Sequence, residues 1–119
     1  MVDKYKNEFE IMKTRLKEID FYLEKENDYS LFFGNNTNWN VVLYGDKYDD
    51  YCYICISNLY YEKMKINKLG FLIWKIMKVF GIDVKNITIN DELDFLIENK
   101  DKILDETLPY KEAYDNLKC

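Results

Sequence analysis

Apolar positions near the start of the chain recur at helical intervals. Tyr5, Phe9, Met12, Leu16, Ile19 and Leu23 are separated by 4, 3, 4, 3 and 4 residues, which places them in one stripe along a helix. Between them stand mostly Lys, Glu and Asp, as a solvated opposite face requires. The spacing predicts an amphipathic helix over Asp3 to Glu26 that lays one side on a core.

From Tyr29 onward the period falls to two. Tyr29, Leu31 and Phe33 alternate, and Gly34 to Asn38 form a turn cluster. Trp39, Val41 and Leu43 then point one way while Val42 and Tyr44 point the other. A second turn, Gly45 to Asp50, leads into Tyr51 to Ser57. There Cys52, Ile54 and Ile56 share one face, and Tyr51, Tyr53 and Cys55 the opposite one. Three strands joined by short turns predict an antiparallel meander. Both of its faces carry large side chains, so neither is expected to be fully wetted.

Helical spacing returns over Leu59 to Phe80. Leu69, Leu72, Ile73, Ile76, Met77 and Phe80 form a broad stripe, and Gly81 suits a left-handed cap. Gly70 interrupts this segment, so Tyr60 to Lys68 reads as either a separate turn or a short strand. Ile82 to Ile89 is short and β-branched, which favours extended backbone. Asn90 or Asp91 reads as the N-cap of a helix carrying Leu93, Leu96, Ile97 and Leu104. Pro109 fits the first turn of a last helix with Tyr110, Ala113, Tyr114 and Leu117. A helix, then clustered strands, then helices predicts an α+β fold, with the helices on one face of the sheet.

Composition adds limits to this pattern. A chain of 119 residues with one proline and four glycines has little material for linkers, and reads as a single domain spanning residues 1–119. The net charge is −5, and Arg15 is the one arginine among 17 basic residues. Arginine is the side chain that forks onto phosphates and base edges, so nucleic acid is not the expected partner. Charge is uneven along the chain: residues 62–85 carry six lysines and two acids, a net of +4. That lysine-rich stretch reads as the solvated face of a helix. No signal-peptide pattern opens the chain, and its longest apolar stretch, Leu69 to Phe80, is too short to cross a bilayer. Three cysteines, Cys52, Cys55 and Cys119, form no disulfide framework. The cytoplasm is the expected compartment.

The chemistry available is narrow. There is no histidine, which removes imidazole general bases, Ser-His and Cys-His pairs and most zinc sites. Cys52 and Cys55 make a CxxC, but on a strand positions three apart face opposite sides, so the sulfurs do not meet. Asp46, Asp49 and Asp50 crowd one turn without the alternating ligands of an EF-hand. Asp91, Glu92 and Asp94, like Glu24 and Glu26, read as solvated helical positions. The glycines never cluster into a phosphate-binding loop. No cofactor or metal is implied, and no catalytic residue stands out.

What remains distinctive is tyrosine, with 11 in the chain. Tyr44, Tyr48, Tyr51 and Tyr53 gather around the second turn, with Asp46, Asp49 and Asp50 at its rim. Tyrosine brings large area and a polar tip with few rotors to freeze, and acidic groups speed encounter with a basic partner. In general character the chain resembles small bacterial immunity proteins that block cognate toxins: short, acidic, rich in tyrosine and poor in catalytic groups. On the tyrosine pattern Tyr44, Tyr51 and Tyr53 read as the anchors; the resemblance itself implies a cytoplasmic, non-enzymatic inhibitor that occludes a basic protein, a toxin or a defence protein. It transfers no site residues. Two other readings stand beside it: a small-molecule binder or enzyme using carboxylates and tyrosines, favoured by a buried carboxylate beside a tyrosine, and an oligomerisation module using the Tyr5–Leu23 stripe or a sheet edge.

Overall fold

A computed structural model of the chain describes residues 3–48, 51–58 and 70–117. The N-terminal stripe folds as predicted as far as Ile19. Helix α1, Lys6–Arg15, is flanked by single 3-10 turns at Asp3–Tyr5 and Leu16–Ile19. Tyr5, Phe9, Met12, Leu16 and Ile19 are all buried. The helix does not run on to Glu26. Asp20 takes a left-handed conformation, its N–H and that of Phe21 close back on Leu16 and Lys17 carbonyls, and the chain reverses. Leu23 therefore leaves the stripe and lies 40% exposed on a strand.

That strand, β1 (Tyr22–Glu26), is the first of five rather than three. It is followed by β2 (Ser30–Gly34), β3 (Trp39–Tyr44), β4 (Tyr53–Asn58) and the short β5 (Phe71–Leu72). All neighbours are antiparallel and follow chain order, so the predicted meander holds and gains a strand on each side. Strand β1 was hidden by its composition: Glu24, Lys25 and Glu26 do not alternate with apolar residues, because the whole strand is solvated. A register shift between Leu23 and Lys25 and those charges blunt this edge against pairing with another chain.

The sheet register sorts side chains into two faces. Phe33, Val41, Ile56 and Phe71 form one cross-strand row, and Leu31, Leu43 and Ile54 a second; both rows are buried against the helices. The opposite face carries Phe32, Val42, Cys55 and Leu72 in one row and Tyr44 with Tyr53 in the next. Val42 and Cys55 are buried there while Tyr53 is exposed, so this face is neither dry nor fully wetted.

After β5 come α2 (Ile73–Val79), α3 (Ile89–Glu98), α4 (Lys100–Ile103) and α5 (Lys111–Asn116). Gly81 ends α2 at positive φ, as its position predicted, while Ile82 bonds back to Met77. Residues 82–88 form no strand; they are an irregular link. Thr88, not Asn90 or Asp91, caps α3, and Asp91 returns the bond to the Thr88 N–H to complete a capping box. The segment Tyr60 to Lys68, together with Leu59 and Leu69, lies outside the described residues. The sole arginine joins two helices: Arg15 pairs with Asp94 at 2.7 Å and donates to the Asn90 carbonyl and side-chain oxygen. No helix among the described residues is long and apolar enough to cross a membrane.

Candidate functional site

The β3–β4 turn is held from beneath by a buried tyrosine. The Tyr5 hydroxyl lies 3.0 Å from the Asp46 carbonyl and 3.1 Å from that of Tyr51, and accepts from the Asp46 N–H at 3.1 Å. Its ring rests on Gly45, where any Cβ would come within 2.4 Å of it. Lys4 adds bonds to the Asp46 and Lys47 carbonyls. The Asp46 carboxylate accepts from the Tyr48 N–H at 2.8 Å, closing an Asx turn. These bonds hold the turn at Asp46 and Tyr51, next to two rings in solvent: Tyr48 is 89% and Tyr51 78% exposed.

The predicted tyrosine cluster is therefore gathered at one end of the sheet, with unequal exposure. Tyr53 is partly exposed, and its phenol is pushed up by burial and then by the nearby Cys55 and Asp46 charges. Tyr44 is half-buried on the sheet, with its ring 6.0 Å from Phe32 and 5.8 Å from Tyr53. Its ring packs beside both of these neighbours on the sheet. Asp49 and Asp50 lie outside the described residues.

Beside this turn the structure places a residue that the sequence pattern had assigned to solvent. Glu92, in the first turn of α3, is only 4% exposed. Its position explains the burial: Phe95 and Leu96, three and four residues on, lie on the same helical face and are both buried. Glu92 points between the start of α2 and β4, into a cleft walled by Tyr51, Cys52, Tyr53, Trp74, Val84 and Ile87, with a volume of about 400 Å³. A second cleft of about 430 Å³ continues past Tyr51, Cys52 and Glu92 toward Glu8 and Ile11 of α1. Glu92 thus sits where the two meet.

Burial pushes the Glu92 carboxyl up to about 8. The Ile54 and Trp74 backbone amides draw it back toward ionisation, while the charge of Asp91 adds to the rise. Its Oε1 has no hydrogen-bond partner among the described residues. The thiols beside it are not reactive centres: burial first, then the acidic neighbours, pushes both Cys52 and Cys55 up to about 12. Both are free; Cys55, within β4, pairs with Val42, and Cys52 lies just before that strand. Among the described residues, no group of three or more His, Cys, Asp or Glu side chains is placed to hold a metal ion.

Comparison with protein-family models, with curated proteins and with solved structures finds no match to this chain.

Proposed function

We propose that this protein acts by binding another protein, occluding a basic surface of its partner with the Tyr48–Tyr51 turn. The observation that carries the reading is the pairing of exposure with backbone anchoring. Two rings stand largely in solvent beside the two ends of the turn, Asp46 and Tyr51, that the buried Tyr5 hydroxyl contacts. Rings presented this way lose little conformational entropy on docking. Asp46 on the same turn and the net charge of −5 favour a basic partner. An inhibitor or immunity protein is the biological form this takes, and the mechanism is steric: the partner's working surface is covered one to one. The N-terminal stripe is spent on the chain's own core, which leaves the turn as the stronger docking element.

The test is capture of partners by the tagged chain from its own cell lysate, quantified for the wild type and for Tyr48→Ala/Tyr51→Ala. A stoichiometric basic protein retained by the first and lost by the folded double variant supports the reading. Equal retention by both removes the turn from it.

A second reading, a small-molecule binder or carboxylate-based enzyme, is favoured by the buried Glu92 beside Tyr51 and Tyr53. Its test is ligand screening against the wild type and Glu92→Gln.

A further inference from the structure

We propose that the cleft at Glu92 is a socket for one lysine or arginine side chain of the protein partner, with the Glu92 carboxylate receiving the cationic group. The proposal rests on the protein-binding reading above and adds the chemistry of recognition.

Four observations converge. Glu92 lines the cleft, and its Oε1 is buried with no hydrogen-bond partner among the described residues. A buried acceptor left in that state costs about 1–3 kcal/mol, which an entering donor recovers. The walls are Tyr51, Tyr53, Trp74, Val84 and Ile87, apolar or aromatic surfaces that suit the methylene stem and cationic head of such a side chain. None of the described residues lining either cleft is cationic, whereas Glu8 lies in the wall on the α1 side. Tyr51 belongs both to the exposed turn and to the cleft wall, so a partner seated on the turn stands directly over the opening.

Charge must adjust when the cation enters. With its pKa near 8, Glu92 is mostly protonated at neutral pH and must release its proton to form the ion pair. The groups around it are Asp91 on its own helix, Glu8 on α1, and Tyr51, Cys52, Tyr53 and Cys55 around β4. Cys52 stays a thiol, since its own value is pushed up to about 12. Affinity therefore rises with pH up to about 8 and then levels off.

The experiment titrates the full chain, followed by NMR, with the peptide acetyl-Ala-Ala-Lys-Ala-Ala-amide, its arginine and norleucine counterparts, and n-butylammonium. Expected are shifts centred on Cys52, Trp74 and Glu92 with both cationic peptides and none with the norleucine peptide. Affinity should fall about tenfold in Glu92→Gln. Glu8→Lys, which sets a tethered ammonium at the cleft mouth, should also weaken binding, and it guards against a folding defect in the first variant. Cationic peptides that bind elsewhere, that bind Glu92→Gln equally well, or that bind independently of pH between 6 and 8 overturn the socket. A peptide no tighter than n-butylammonium overturns the assignment to a protein side chain. Loss of lysate capture on Tyr48→Ala/Tyr51→Ala, with capture intact in Glu92→Gln, overturns the socket alone and leaves the protein-binding reading standing.

Discussion

Tyrosines at the two ends of the sheet do opposite jobs. Near β5, Tyr110 and Tyr114 are buried edge-on around Phe71, with ring centroids 5.3 and 5.0 Å from it. Their hydroxyls serve backbone groups: Tyr110 donates to the Ile103 carbonyl at 2.7 Å, and Tyr114 accepts from the Leu72 N–H at 2.9 Å. At the β3–β4 turn Tyr5 is used this way, while the Tyr48 and Tyr51 rings beside it stand in solvent. A buried tyrosine needs both its ring packed and its hydroxyl bonded. At that turn one tyrosine is buried and bonded while two more are exposed.

The largest effect that tests the contrast is on the buried side. Tyr110→Ala removes a packed ring and should cost about 3–5 kcal/mol in urea unfolding, with partner capture lost only in proportion to unfolded protein. A cost below 1 kcal/mol, roughly the level of a surface substitution, would mean this cluster is not core.

Next is the pH response of Glu92. Its folded value is raised, so between its ordinary 4.5 and about 8 the folded state holds a proton that the unfolded chain has released. Its contribution to stability is therefore intact below 4.5, declines as pH rises to about 8, and is flat above. Glu92→Gln should erase that decline and gain on the order of a few kcal/mol at pH 9 relative to the wild type. Parallel stability curves for the two proteins from pH 5 to 9 would refute the burial argument. A variant that is more stable but binds less would mark Glu92 as a residue kept for function.

Smaller still is Tyr5→Phe. It leaves the Asp46 N–H without its hydroxyl acceptor and should cost about 1–3 kcal/mol. Amide exchange should quicken specifically at residues 46–48. Unchanged exchange there would show that the turn is rigid for another reason. The smallest effect on stability belongs to Tyr48→Ala, within about 0.5 kcal/mol, since an exposed ring has little packing to lose. Its effect on capture should nevertheless exceed that of any other single change in the turn.

Alternation in residues 29–57 located three strands because each has a dry face, and helical spacing located α1, α2 and α3 for the same reason. Strand β1 escaped because a wholly exposed edge strand carries no such pattern, and the Leu23 position continued the helical stripe by coincidence. The reversal at Asp20 depends on a non-glycine residue in the left-handed region, closed by bonds back to Leu16 and Lys17, which residue type alone does not announce. The absence of histidine and the gathering of tyrosines around one turn were settled by the chain itself. Which tyrosines face water was not: Tyr5 and Tyr48 differ only in where the fold carries them. Glu92 shows the limit most plainly. An acid in the first turn of a helix normally faces solvent and the helix dipole. Here β4, α2 and α1 close around it, and desolvation by elements distant in sequence gives the carboxyl its character.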